Sequence, residues 1–86
     1  MKLDKQFMPT ILRIDGYRFF FYSNESNEPL HIHIEKGDAI AKVWLDPEIV
    51  PVYFINYTKK EERDIMKVIS LNIVILKEKW HEYFDK

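Results

Sequence analysis

The stretch from Leu30 to Leu45, LHIHIEKGDAIAKVWL, constrains the fold more than any other part of the chain. Its first half alternates strictly: Leu30, His31, Ile32, His33, Ile34, Glu35. A period of two is the pattern of a β-strand with one buried face. It sets the isoleucines on one side and both imidazoles on the other. Gly37-Asp38 then reads as a two-residue hairpin connection. That register faces Ile34 with Ala41, Ile32 with Val43 and Leu30 with Leu45, all apolar and all on one side. The opposite side carries His33 across from Lys42 and His31 across from Trp44, with Glu35 and Ile40 nearer the turn. A slip of one residue would invert both faces, so the clean separation supports the register.

A second hairpin is expected around Asp15-Gly16, between the run from Thr10 to Ile14 and Tyr17-Arg18-Phe19-Phe20-Phe21-Tyr22. Its register places Ile14 opposite Tyr17, Arg13 opposite Arg18, Leu12 opposite Phe19 and Ile11 opposite Phe20. Residues 23–29 are polar and turn-rich, hence a loop. Two prolines argue against a central strand over residues 46–51, and 52–55 reads as a short extended piece. Thr58 and Glu61 form a capping-box pattern. It starts one long helix to about residue 84, with Ile65, Ile69, Ile73, Leu76, Trp80 and Phe84 as its core stripe. No charge occurs between Lys67 and Lys77, and Leu71, Val74 and Ile75 lie off that stripe. Burial by the domain itself, an oligomer interface, and a break near residues 70–72 that gives two helices all fit this. The fold expected is α+β: a small antiparallel sheet of two β-hairpins packed against one long C-terminal helix. Residues 8–86 make a single domain, and residues 1–7 a flexible N-terminal extension.

Eighty-six residues bury only a modest share of their surface, so a dense core is required; 47% hydrophobic and 15% aromatic residues supply it. With no cysteine, disulfides and thiolate metal sites are excluded, which fits a cytoplasmic protein. The residues at the start have no apolar core of a signal peptide, and the longest apolar run is too short to span a bilayer. A net charge of −1 gives no global argument for nucleic acid, so any such role needs a local basic patch.

Three histidines are present, and two share one strand face. Residues i and i+2 on a strand lie ~6.5–7 Å apart at Cα, close enough to converge on one ligand. Three readings stay open. The pair decorates a solvated sheet face; it holds a metal with help from His81, Glu82 or Glu35; or it forms a metal-free acid–base or anion site. For the last, His31, His33 and Lys42 are the candidate catalytic residues, since phosphodiester cleavage without metal needs a base, an acid and a cation. Arg13 and Arg18 stand opposite one another, a destabilising pair unless an anion sits between them. Glu25, Glu28 or Glu35 is the intramolecular choice and phosphate the functional one. Arg13, Arg18, Tyr22 and Trp44 are the candidate binding residues, the aromatics as stacking platforms. No Gly-rich phosphate loop, nucleophile elbow or helix-turn-helix pattern occurs, and no cofactor is implied.

Residues 8–25 (MPTILRIDGYRFFFYSNE) resemble the opening of the small bacterial family known as domain of unknown function 4160. Glu28 to Asp38 resembles its P-x-H-x-H segment, and Ala41-Lys42-Val43-Trp44-Leu45 and Trp80-His81-Glu82-Tyr83-Phe84 resemble its later motifs. The apolar run from Val68 to Leu76 departs from the charged helix typical of the family, and Met8 is an alternative initiator. No activity is established for the family, so the resemblance does not decide whether the chain is an enzyme. Its members often stand beside a second small protein, an arrangement similar to a toxin–antitoxin pair. The resemblance therefore implies a toxin–antitoxin-type component with a small cognate protein partner. Combined with the His/Lys/Arg/aromatic face, it gives a protein that acts on or binds RNA or another anionic partner. A non-enzymatic module docking its partner through the apolar helix, a divalent-metal-binding domain, and a homodimer are the alternatives.

Overall fold

The computed structural model describes residues 10–22 and 27–85. The extension expected at residues 1–7, the alternative start at Met8, and Glu25 lie outside them.

Strands β1 (Thr10–Ile14) and β2 (Tyr17–Phe20) are joined by Asp15 and Gly16 at φ 52° and 85°. Left-handed conformation at both central positions is the I′ turn that suits strand twist. Ile14, Arg13 and Leu12 pair with Tyr17, Arg18 and Phe19 as expected, but Thr10 and not Ile11 pairs with Phe20. The register shift is a bulge at Ile11. Strict register would hold this isoleucine on the side away from the core. The bulge lets it pack against the core instead, and Thr10 Oγ1 accepts a 2.6 Å hydrogen bond from Arg18 Nε.

Strands β3 (His31–Lys36) and β4 (Ala39–Trp44) pair over six positions in the expected register, with Gly37 at φ 61°. The ladder extends to Leu30, whose carbonyl accepts from Leu45 N at 2.8 Å. β2 pairs with β3, and the sheet is an antiparallel meander in the order β1-β2-β3-β4-β5.

β5 (Val50–Ile55) lengthens the short extended piece expected over residues 52–55 to take in Val50 and Pro51, and is not a central strand. It is an edge strand and carries a bulge between its pairings with Lys42 and Val43. Lys36 and Ala39 close a two-residue turn as a hydrogen-bonded pair, so Ala41 and Val43 direct their backbone bonds toward β3. Pro51, opposite Val43, therefore turns its missing N–H to the open edge, where proline is tolerated.

Thr58 Oγ1 accepts from Glu61 N at 3.1 Å and Glu61 Oε1 from Thr58 N at 2.9 Å, the capping box that opens α1 (Lys59–Leu71). The single long helix expected is two: α2 (Ile73–Phe84) follows a break at Asn72, φ −116°. Asn72 Nδ2 donates to Val68 O at 2.8 Å, a local bond that competes with helix propagation, and a β-branched run follows. The break lets both helices face one side of the sheet. Ile65, Ile69, Leu76 and Trp80 bury there against Phe19, Ile32, Ile34, Ala41, Val43 and Leu45. Leu71 and Val74 at the helix corner remain 74% and 69% exposed, so the domain does not cover them itself. No helix among the described residues is long and apolar enough to cross a membrane.

Candidate functional site

Because side chains alternate along each strand, the sheet face away from the helices is a grid fixed by register. One row across the strands reads Arg13, Arg18, Glu35, Ile40, Ile55. The next reads Phe20, His33, Lys42, Tyr53. His31, Trp44 and Val50 form the third, and Tyr22 adjoins them through its ring, 4.5 Å from that of His33. The pattern thus gathers His31, His33, Lys42, Arg13, Arg18, Tyr22 and Trp44 on one face, while the metal-ligand candidates His81 and Glu82 stand on α2.

Solvent access differs from expectation. The histidines were expected on an open face, but His31 is 0% and His33 6% exposed. His31 meets the rings of His33, Trp44 and Trp80 at centroid distances of 5.1, 5.6 and 5.1 Å. His33 also stacks on Phe20 at 5.6 Å. A period of two assigns a face but not what crowds it. Trp80 comes from α2 and touches both Phe21 and His31, at the end of the sheet where β2 finishes and β3 begins. His31 Nδ1 lies 2.8 Å from the Pro29 carbonyl, so Nδ1 carries the proton and donates. The buried ring is fixed in tautomer and orientation.

The cations are partnered. Arg18 bonds Glu35, one of the carboxylates expected between the arginines, at 3.0 Å and lies 4.3 Å over Phe20. Lys42 Nζ bonds Glu28 at 2.9 Å and lies 4.7 Å over Trp44. Glu28 Oε1 also stands 3.8 Å from His31 Nδ1, so this carboxylate folds over the face. Its hydrogen bond to Lys42, with the nearby positive charge, holds the Glu28 carboxyl below its usual range. Arg13 is exposed. His81, a metal-ligand candidate, stands in α2 against Asp85, away from the other two histidines. Among the described residues no three His, Asp or Glu side chains gather in a metal-holding group.

Tyr22 and Arg13 remain open on this face, and so do four residues that were not site candidates: Ile40, Val50, Tyr53 and Ile55, all exposed. Beside them Pro29, Trp44, Asp46, Pro47, Glu48 and Val50 line a mainly apolar groove. A signal was present, since Val50-Pro51-Val52-Tyr53-Phe54-Ile55 has more apolar residues than one buried face needs. Recognising it required knowing that β5 is a strand.

The family described as Domain of unknown function (DUF4160) matches residues 16–81. That span holds the face from β2 through β5 and leaves out Arg13. No curated protein and no solved structure matches the chain. Matched from its first hairpin turn into its second helix, the chain belongs to the DUF4160 family.

Proposed function

We propose that this domain is a non-enzymatic protein-binding module that seats a small partner protein on the outer face of β4 and β5. The observation that carries this is the contiguous strip of Ile40, Ile55, Tyr53 and Val50, exposed on the β4–β5 side of a face whose centre is closed by ion pairs and buried rings. Large apolar side chains side by side in solvent mark interaction surfaces more than isolated ones do. The open edge of β5 is blunted by Pro51 and its bulge, which favours contact through side chains over strand addition. Around the strip, Asp38 and Glu48 have no ion pair among the described residues, while Lys42 and Arg18 already have carboxylates. A partner with an apolar patch bordered by basic side chains complements this surface. A second copy would meet the same carboxylates.

The toxin–antitoxin-type role gives the class of partner: a small cognate protein of the kind often encoded beside members of this family. Action on RNA through His31, His33 and Lys42 has weaker support. It needs solvent access for two buried imidazoles and release of Lys42 from Glu28. A second protein-binding reading seats the partner on the helix corner, favoured by the exposure of Leu71 and Val74.

Co-purification with the small cognate protein tests this. Wild type is expected to hold it, and the double substitution Ile40→Asp, Ile55→Asp to lose it with circular dichroism unchanged. Retention by that double variant and loss on Leu71→Glu selects the helix corner. Cleavage of a single-stranded RNA abolished by Lys42→Ala overturns the non-enzymatic assignment.

A further inference from the structure

We infer that the groove between the β2–β3 and β4–β5 connections takes a lysine or arginine side chain of the partner. This rests on the docking surface proposed above and names what its end would recognise. Pro29, Trp44, Pro47 and Val50 give the groove an apolar lining, and Asp46 and Glu48, both exposed, complete it with carboxylates. A purely apolar ligand would cover those carboxylates without compensation, and an anion would be repelled by them. A long basic side chain satisfies both parts: its methylenes lie along the lining and its charged head reaches the carboxylates.

Two details strengthen the assignment. Glu48 is exposed and has no ion pair among the described residues, and Asp46 is held only at 3.8 Å by Lys77. The indole of Trp44 already accepts an ammonium group inside the molecule, with Lys42 Nζ 4.7 Å from its ring centroid. Trp44 and Val50 also form one pair of the β4–β5 ladder, so the groove is continuous with the exposed strip. A partner lying along β5 would bring one basic residue into the groove as its anchor.

The probe is Nα-acetyl-lysine amide, with Nα-acetyl-norleucine amide as the uncharged comparison. The Trp44 indole N–H and Val50 amide signals are followed by NMR during titration. A saturable shift with Kd on the order of 1–10 mM is expected for the lysine probe, as befits so small a ligand. The norleucine probe is expected to bind at least about threefold more weakly, and Glu48→Gln to weaken the lysine probe by a similar factor. Equal response to both probes, indifference to Glu48→Gln, or no saturation by about 50 mM overturns the groove assignment. The docking surface is judged separately by the Ile40→Asp, Ile55→Asp double variant. Loss of the partner there with equal probe binding leaves the surface standing and removes the anchor. Charge-selective probe binding with an intact complex does the reverse.

Discussion

Replacing His31 with alanine tests the central finding that the paired imidazoles belong to the interior. The ring is fully buried, donates to the Pro29 carbonyl and meets three other rings. Loss of a net hydrogen bond costs about 1 kcal/mol. Removing a buried ring leaves a cavity, and together the two are expected to cost about 2–4 kcal/mol. Domains of this kind have total stabilities of about 5–15 kcal/mol, so this is a large share. For fewer than 100 residues the fall in melting temperature is roughly 8–30 °C. Urea unfolding followed by circular dichroism reads the free energy, and an unchanged slope shows that the transition itself is preserved. His81→Ala is the control: His81 is exposed and its side chain ion-pairs with Asp85 alone among the described residues, so its loss is expected to stay within about 0.5 kcal/mol. A His31→Ala variant as stable as that control refutes the burial argument. It would return the histidine pair to the solvent-facing role expected from sequence.

Thr58→Ala removes one half of the capping box and is expected to cost about 1 kcal/mol in urea unfolding, with the β-sheet signature retained. Glu28 supplies a pH dependence whose sign follows from its lowered pKa. Its contribution is fully present above the ordinary carboxyl range and is lost as pH falls through the depressed folded-state value. Wild type is therefore expected to exceed Glu28→Gln in stability at pH 7, with the gap closing as thermal melts are taken further into acid. A gap that widens toward acid would contradict the Lys42–Glu28 pairing.

Local pattern carried the sheet's centre. Asp15-Gly16 and Gly37-Asp38 fixed two turns, and the alternation from Leu30 to Leu45 fixed all six pairs between β3 and β4. The opposed Arg13 and Arg18 and the capping box at Thr58 were legible in the same way, because each depends on residues near in sequence. The bulge at Ile11 was not legible, since it answers to the core that Ile11 packs against. Pro51 rightly argued against a central strand, but that an edge strand would run through it is a matter of topology. The helix break was foreshadowed by Asn72 and the β-branched run after it, but periodicity alone ran through it.

For the candidate site, sequence determined which residues share a face and tertiary structure decided which of them meet solvent. Alternation put His31, His33, Lys42 and Trp44 together, since a strand has only two sides; Arg18 joined them only through the pairing of β2 with β3. Alternation had no means of showing that Trp80, nearly fifty residues further along the chain, would close on His31, or that Glu28 would take Lys42. Burial is set by whatever else packs nearby, and that is decided only when distant segments meet. The same meeting left Ile40, Val50, Tyr53 and Ile55 uncovered, and the proposed docking surface rests on that exposure.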